Sequence, residues 1–274
     1  MYTEYQPSHL LVPYIDNYWE FKGNPDYGMR IHILPDGCTD FIFTLGEVAN
    51  AVEEGSLMMQ PYRSYFVGPM TKYSELVTYA ESVHMFGVRF LPCGLSCFTN
   101  LPLHEFVNSR VSTNEMKAVF DDTFIERLGE QKHVADRIRV VEEYLLAYLA
   151  RHYQPADSHV AMAVNMINHS EGKRSVRSLM DDVCLCQRHF ERKFKHYTGF
   201  TPKEYSRIVK FKNAVELLRT TTSANLLTTA VDAGYYDLAH FSKEIKSMSG
   251  NTPASFLSLT VPEETTLTYI EPQR

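Results

Sequence analysis

The side chains best suited to chemistry in this sequence of 274 residues are polar groups on two short predicted helices. On the first helix, residues 187–197, the outward positions are Gln187, Arg188, Glu191, Arg192 and Lys195. On the second, which starts near Asp237, the outward positions are Leu238, Ala239, Ser242, Lys243 and Lys246. A guanidinium group matches the O6/N7 edge of guanine, and any cation attracts phosphate. These positions therefore predict contact with duplex DNA.

The two helices belong to a unit that occurs twice, 51 residues apart. Seven residues recur identically: Asp181, His189, Phe190, Lys195, Gly199, Thr201 and Pro202 as Asp232, His240, Phe241, Lys246, Gly250, Thr252 and Pro253. Two more recur conservatively, Arg192 as Lys243 and Tyr205 as Phe256. The order is the same in both copies, so the pattern indicates a duplicated structural element.

Each copy has the pattern of a helix-turn-helix. In the first, Ser175 is a suitable N-cap for a short helix, and Gly199 ends the second helix because glycine tolerates positive φ. The apolar residues of that second helix fall on one face, Phe190, Phe194 and Tyr197. In the second copy Gly234 supplies the turn and Gly250 the stop. Its inward-facing residues are Phe241, Ile245 and Met248.

The segment between the copies predicts a rigid connector. Thr201 followed by Pro202 is the preferred cap-then-N1 order, and the helix that they open runs to about Arg219. A helix of this length measures roughly 28 Å. Successive major-groove faces of B-DNA lie about 34 Å apart. The connector is therefore long enough to present two recognition helices to one side of a duplex.

Residues 176–256 resemble the DNA-binding domain of the AraC/XylS family of bacterial transcription regulators. The resemblance depends on residues 185–194 and 198–202 in the first copy, and on residues 230–243 and 250–253 in the second. It implies a sequence-specific DNA-binding regulator of transcription with RNA polymerase as a further partner. Residues 230–243 carry the most specific part of the signature.

By position in the family motif, the base-contacting places fall on Arg188, Arg192, Leu238, Ala239 and Lys243. Cys186 stands where the family usually has serine, and Lys243 stands where it usually has arginine. Lysine cannot make arginine's planar bidentate contact, so guanine recognition is expected of the first helix alone. The second helix either reads a thymine methyl through Leu238 or Ala239, or holds the backbone through its lysines. Further phosphate-contact candidates are Lys173, Arg174, Lys195 and Lys246.

The charge distribution supports a nucleic-acid partner for one end of the chain. The net charge is -6, which alone argues weakly against such a partner. Residues 155–260, however, hold 14 Lys/Arg against 10 Asp/Glu, whereas the remainder holds 13 against 23. An acidic body joined to a mildly basic domain localises the attraction for DNA to the C-terminal part.

The first 91 residues predict short antiparallel strands. Aromatic and β-branched residues mark residues 17–21, 30–34, 39–45, 64–67 and 83–91. A Pro-Asp-Gly turn falls at residues 35–37. The pattern favours a small barrel or jelly roll. The order of residues 34–37, 67–69 and 86–90 resembles the cupin-like sensory half of a branch of the same family, which implies a small-molecule effector.

Three side chains in this half are candidates for effector binding. Arg89 lies opposite the predicted apolar face of Phe86, Val88 and Phe90, where it either binds an anionic effector or forms a structural ion pair. His32 and His84 are the other two candidates.

The residues after Pro92 predict helices over residues 101–106, 114–128 and 132–152. The third has an apolar stripe that either packs within the chain or forms a dimer seam: Val134, Ile138, Val141, Leu145, Leu146 and Leu149. Residues 153–158 are the expected linker, and residues 157–169 the next helix. The predicted fold is α+β, with a cupin-like sensory or dimerisation domain at 1–153, an all-α double helix-turn-helix domain at 154–260 and an aperiodic tail at 261–274.

Two enzyme-like classes compete with this interpretation. A metal-dependent cupin enzyme needs a compact set of ligands, but His32 and His84 are isolated. A repair regulator with a zinc-bound cysteine needs clustered cysteines, but Cys93 and Cys97 are more typical of two half-buried thiols on one helix turn. The sequence thus predicts a non-enzymatic, cofactor-free regulator, controlled by an effector or by its own abundance. Without a signal peptide or an apolar run long enough to span a membrane, it is expected in the cytoplasm.

Overall fold

The computed structural model describes residues 2–53, 55–116, 119–120, 123–152, 154–183, 185–220 and 226–257, and the backbone of 268–270. Within these ranges an antiparallel β-structure comes first and a helical domain follows. The predicted α+β class is confirmed. Cys184 and Tyr153, which fall in the predicted turn and linker, lie outside the described residues, as does most of the predicted tail.

The β-structure consists of two antiparallel sheets. Its strands are β1 (Tyr2–Tyr5), β2 (Ile15–Gly23), β3 (Met29–Ile33), β4 (Thr39–Thr44), β5 (Asn50–Ala51), β6 (Ser64–Val67), β7 (Ser74–Thr78), β8 (Val83–Phe90), β9 (Arg110–Ser112) and β10 (Thr268–Ile270). One sheet has the order β1-β2-β8-β4-β6-β9 and the other β10-β3-β7-β5. The five strands predicted from alternation are β2, β3, β4, β6 and β8. The edge strands and β7 were not predicted.

The two sheets form a sandwich, and strand β8 contributes side chains to two separate cores. Phe86, Val88 and Phe90 point away from the second sheet into a core shared with the following helices. Met85, on the opposite face, packs between the two sheets with residues such as Ile31. The alternation predicted for residues 86–90 is therefore confirmed, and both faces of the larger sheet are buried.

Two helices cover the outer face of the larger sheet, α1 (Phe124–Gly129) and α2 (Val134–His152). On α2, Val141 and Leu145 are fully buried against this sheet, and the rest of the predicted apolar stripe packs around them. The stripe therefore packs within the chain, which is the first of the two alternatives predicted for it.

The single helix predicted for residues 114–128 is wrong for the described part of that segment. A short 3₁₀ turn covers Thr113–Glu115, and α1 begins only at Phe124. Phe120 instead inserts between Phe41 and Phe43, with ring centroids 5.1 and 5.3 Å away. Burial of an aromatic ring in this core outweighs the weak local preference for helix.

The C-terminal domain contains α3 (Ser158–His169), α4 (Val176–Val183), α5 (Gln187–Thr198), α6 (Pro202–Thr220), α7 (Leu226–Asp232), α8 (Leu238–Ser249) and α9 (Pro253–Leu257). Their positions agree with the predicted helix-turn-helix units and connector to within one or two residues. Apolar faces of α5, α6 and α8 form one buried core.

The repeat extends to the hydrogen bonds that end α5 and α8. Thr198 Oγ1 donates to the Phe194 carbonyl at 2.7 Å and accepts from the Phe200 amide at 3.2 Å. Ser249 Oγ makes the equivalent bonds, to the carbonyl four residues before it at 2.7 Å and from the amide two residues after it at 3.1 Å. Gly199 and Gly250 follow with φ of 83° and 76°. Both helices therefore stop in the same way.

Side-chain caps fix the starts of the helices. Asp157 accepts hydrogen bonds from two amides at the start of α3, at 3.1 and 3.2 Å. Thr201 and Glu204 form a reciprocal capping box at the start of α6, with bonds of 2.7 and 3.1 Å. Ser175 Oγ accepts from the Ser178 amide at 3.1 Å, which confirms the N-cap predicted for α4.

The tail contains a strand that the sequence pattern did not predict. Residues Thr268–Ile270 pair antiparallel with β3 and add an edge strand to the smaller sheet. A strand of three residues is too short to show periodicity, so only the presence of an unpaired partner strand could indicate it.

Asp157 provides a test of how the C-terminal domain is held together. Besides capping α3, its carboxylate lies 2.6 Å from Lys193 Nζ on α5. Burial alone would raise the Asp157 pKa, but Lys193 and the capped amides outweigh burial and lower it. Asp157→Ala should reduce the free energy of unfolding at pH 7 by about 1–2 kcal/mol, measured by urea denaturation.

Asp157→Asn is the matched control, because it keeps a capping oxygen and removes only the ion pair. It should cost less than about 1 kcal/mol. Because the Asp157 pKa is lowered in the folded state, its contribution is present at neutral pH and is lost as the pH falls through the folded pKa. Equal losses in the two variants would show that the cap contributes nothing.

Candidate nucleic-acid interface

The outward face of α5 is open to solvent. Arg188, Arg192 and Lys195 are exposed, and no ion pair joins Arg188 or Arg192 to a carboxylate in the described part of the chain. Phe190 and Phe194 on the opposite face are fully buried, which fixes the rotation of the helix about its axis. Gln187 donates to Glu191 at 2.8 Å along the same outward face. The predicted residues of the first recognition helix therefore share one accessible surface.

The outward face of α8 is equally accessible but chemically different. Leu238 is 37% exposed, Ala239, Lys243 and Lys246 are exposed, and Ser242 is half-buried. Asp237 caps the helix by accepting from the amide three residues on at 2.7 Å. The face thus combines two small or apolar side chains at the helix start with lysines further along. This arrangement suits methyl contact and phosphate contact better than guanine recognition.

Tyr236 is a candidate contact that the sequence reasoning missed. It immediately precedes the cap of α8 and is 92% exposed, whereas its neighbour Tyr235 is buried. Two consecutive tyrosines gave no sequence signal for which one faces solvent. The exposed phenol is a hydrogen-bond donor at the approach to the candidate interface.

The other predicted phosphate contacts differ in their surroundings. Lys173 is ion-paired with Glu171, and Arg174 with Asp182. Lys195 and Lys246 occupy equivalent repeat positions and are exposed. The two helix lysines are therefore better placed for phosphate than the paired cations of the preceding loop.

The two helix-turn-helix units are tied to the connector α6. Arg207 on α6 is ion-paired with Glu244 on α8, and Lys210 donates to the Gly234 carbonyl at 3.2 Å. Lys193 links α5 to the start of α3. These contacts hold α5 and α8 in one arrangement.

In the N-terminal domain, Arg89 is enclosed by carboxylates. Its Nε lies 3.2 Å from Asp40 Oδ1 and 3.5 Å from Asp36 Oδ2, and its Nη1 lies 3.8 Å from Glu4 Oε1. Trp19 also donates to Asp40, at 2.7 Å. Burial alone would lower the Arg89 pKa, but Asp40 and its other neighbours outweigh burial and raise it. The geometry favours the structural ion pair over effector binding for this residue.

The two histidines proposed with Arg89 do not join it. His84 Nε2 donates a hydrogen bond of 2.9 Å to Glu20 Oε1, on the face of β8 that points toward the helices. His32 stacks on Tyr73, with ring centroids 5.6 Å apart, on the outer side of the smaller sheet. Neither lines the cavity between the sheets. The sequence could not show this, because strand register decides which face each histidine takes.

Two adjoining cavities open beside β9. An inner one of about 50 Å³ lies between the sheets and is mainly apolar. An outer groove of about 450 Å³ is lined by residues 53, 55–57, 67, 70, 72–74 and 108–111. Arg110, Val67 and Met70 line both. Arg110 was not singled out in the sequence, where it follows no recognisable motif.

Residues 68–73, here called the 68–73 segment, contact both helix-turn-helix units. A Cβ added at Gly199 would lie 2.6 Å from Pro69 Cγ, and one at Gly250 would lie 2.7 Å from Tyr73 Cζ. The Tyr73 amide also donates to the Met248 carbonyl at 2.8 Å. The ends of α5 and α8, at equivalent positions of the repeat, therefore rest on one short segment of the N-terminal domain.

Two family models match separate parts of the chain. Residues 179–258 match the family described as a helix-turn-helix domain, and residues 3–112 match a domain of unknown function, DUF6597. No curated protein matches the chain.

Among solved structures, ToxT from Vibrio cholerae is 9% identical over 88% of this chain and 97% of its own, with a TM-score of 0.52. At that identity the likeness shows a shared fold. A probable AraC family regulator from Rhodopseudomonas palustris is 20% identical over 37% of this chain and 95% of its own, with a TM-score of 0.34. The C-terminal domain of AraT from Geobacillus stearothermophilus is 20% identical over 40% of this chain and 92% of its own, with a TM-score of 0.36.

Two further observations concern classes considered from the sequence. In the described ranges, no three or more histidine, cysteine, aspartate or glutamate side chains are grouped so as to hold a metal ion. Among the same residues, no helix combines the length and apolar character needed to cross a membrane.

The stability that the contact between α5 and the N-terminal domain contributes should depend on pH. His196 near the end of α5 lies against His104, with ring centroids 6.4 Å apart. Burial, and then His104, lower the His196 pKa, while Glu105 acts in the opposite direction. A histidine with a lowered folded pKa contributes stability that is present above its unfolded pKa of 6.5 and is lost as pH falls through the folded value.

The free energy of unfolding should therefore fall more between pH 7.5 and 5.5 in the wild type than in His196→Gln. The difference should be below ~1 kcal/mol, because the ring is partly exposed and screened by solvent. Urea titrations at the two pH values measure it. Identical pH dependence in the two proteins would show that His196 does not sense the interface.

Proposed function

We propose that this chain acts as an AraC-family transcription regulator through its helix-turn-helix DNA-binding domain. In this proposal α5 and α8 enter successive major grooves of one duplex. The observation that carries the proposal is the pair of exposed, repeat-related helix faces on one connected framework. Connector α6 has 19 residues, hence a length of roughly 28 Å. That length is compatible with grooves about 34 Å apart.

The two helices take different roles in this proposal. Arg188 and Arg192 on α5 read guanine, because only a guanidinium offers the bidentate donor pair. Leu238 and Ala239 on α8 contact thymine methyl groups. Lys243, together with the repeat-related lysines of both helices, holds phosphates and sets the register.

The N-terminal domain is proposed to control this interface in response to a small molecule. Support comes from the cavities beside β9 and from the 68–73 segment, which lines the groove and contacts both units. Control without any effector is the alternative. RNA polymerase as a partner and pairing of two chains remain expectations from the family resemblance.

The roles of α5 and α8 can be separated by substitution. Arg192→Ala should cost about 1–3 kcal/mol at the preferred site and relax the preference at one base pair. Lys246→Ala should weaken binding to all duplexes about equally and reduce the salt slope by about one. Selection from a random duplex pool, followed by anisotropy titrations at several salt concentrations, measures both effects.

Arg139→Ala is the matched control, because Arg139 is an exposed arginine on α2 that pairs with Asp136 at 2.8 Å, away from the recognition helices. It should leave both affinity and sequence preference unchanged. If Arg192→Ala and Lys246→Ala gave equal, sequence-independent losses, Arg192 would be a backbone contact and not a base contact. Failure of the wild type to enrich any motif would contradict sequence-specific binding.

A further inference from the structure

The outer groove contains a half-buried arginine, Arg110, that has no counter-ion among the described residues. The Arg110 Nη2 donates to Ser74 Oγ at 2.8 Å, but its Nε is buried and finds no hydrogen-bond acceptor in the part of the chain that the structure describes. No carboxylate lies within 4.0 Å of its guanidinium among the described residues. The nearest acidic groups have other partners: Glu53 pairs with Lys72 at 2.7 Å, and Asp40 pairs with Arg89 at 3.2 Å.

This arrangement is costly unless something else completes it. A buried donor without an acceptor, such as the Arg110 Nε, loses hydration and gains nothing in return. Partial loss of hydration by an unpaired charge adds to this cost. Burial indeed lowers the Arg110 pKa, with Glu53 and Asp40 only partly opposing that effect. Arg89, which lines the inner cavity together with Arg110, shows the contrast, because three carboxylates surround it.

We propose that the groove binds a small organic anion whose carboxylate or phosphate head pairs with Arg110. The fork of donors on a guanidinium fits either head group in a bidentate way. The groove volume of about 450 Å³ suits a small molecule. The inner cavity of about 50 Å³ has room for no more than a small alkyl substituent.

The other side chains of the groove are consistent with an anion. Ser56 and Asn108 supply neutral polar groups along the walls, and Lys72 already neutralises Glu53 at the rim. The inner cavity, by contrast, is lined by residues such as Ile31, Ile42 and Leu76. A ligand with a charged head and a short apolar end therefore matches the two compartments that Arg110 separates.

The 68–73 segment gives such a ligand a direct route to the DNA-binding domain, and this step rests on the function proposed above. Met70 lines both cavities and Tyr73 lines the groove, while Pro69 and Tyr73 contact Gly199 and Gly250. The segment is also held to the loop that precedes β9, because the Thr71 amide donates to Asn108 Oδ1 at 2.9 Å. A ligand that shifts this wall acts on the ends of α5 and α8 together.

Arg110→Met in the full-length chain tests the anion site. It keeps most of the side-chain volume and removes the charge. Melting temperatures are measured at constant ionic strength with butanoate, with inorganic phosphate and with the neutral butanamide. The wild type should be stabilised by butanoate or phosphate, and not by butanamide. Whichever anion acts identifies the head group, and its affinity should fall about tenfold or more in Arg110→Met.

The ligand-free variants supply an independent readout. If Arg110 has no counter-ion, Arg110→Met should melt at the same temperature as the wild type or higher, because it removes a partly desolvated charge and a buried donor that has no acceptor. Arg110→Lys should retain weakened anion binding. Arg30→Met is the matched control, since Arg30 is an exposed arginine on β3 paired with Glu75. The control should respond to anions as the wild type does.

Three outcomes would overturn the anion site: no stabilisation of the wild type by either anion, equal stabilisation of Arg110→Met, or unfolding of ligand-free Arg110→Met. The coupling is tested by the ratio of affinities for the selected duplex with and without the active anion. This ratio should change at least about threefold in the wild type and remain near one in Arg110→Met. A constant ratio in the wild type overturns the coupling, whereas absence of any specific duplex binding overturns the proposed DNA-binding function instead.

Discussion

The positive-φ glycine at the end of each recognition helix is the constraint on which much of the arrangement depends. Gly199 and Gly250 end α5 and α8 with the same local hydrogen bonds, and they also allow the N-terminal domain to approach closely. Any side chain at either place would be strained by its backbone and would collide with Pro69 or Tyr73. One requirement of local geometry thus creates two equivalent docking points. Because both points lie on the same segment, moving either unit relative to the N-terminal domain would break a contact with that segment.

Further contacts strengthen this junction at the centre of the molecule. Leu34, at the start of the Pro-Asp-Gly turn, belongs to the buried core of the helical domain. Tyr205 on α6 packs against Gly37 of that turn and donates to Asn168 at 2.9 Å. The connector that sets the spacing of α5 and α8 is therefore also the helix that the sandwich contacts. In this arrangement the position of the sandwich and the geometry of the recognition helices are physically linked.

The helical domain could be predicted closely from the sequence because its signals are local. Ser175, Thr201 and Gly199 each act within a few residues, and the repeat places every signal twice. The edge strands could not be predicted in this way. A strand such as β9, with three residues, carries no periodicity of its own and is stabilised by pairing with β6. The single helix predicted over residues 114–128 failed for a related reason, because distant aromatic rings decide where Phe120 lies.

The candidate sites also differ in whether local sequence signals or long-range contacts determine them. The outward residues of α5 and α8 follow from helical periodicity, and all ten lie on the surfaces predicted for them. The residues of the N-terminal cavities depend on strand register and on which charges find partners. Among the described residues Arg89 has carboxylate partners and Arg110 has none, yet neither arginine has an acidic neighbour in the sequence that would show the difference. Only three-dimensional pairing distinguishes a structural cation from one available to a ligand.

The distinction between paired and unpaired cations explains how a domain with a small excess of positive charge can present a cationic surface. Several of its cations form ion pairs within the domain: Arg174 with Asp182, Lys193 with Asp157 and Arg207 with Glu244. These pairs also neutralise three of the ten acidic residues in residues 155–260. Arg188 and Arg192 on α5, and the lysines of α8, remain exposed without such partners in the described part of the chain. The pairing leaves the unpaired cations concentrated on the outward faces of α5 and α8, which are the surfaces proposed above to face DNA.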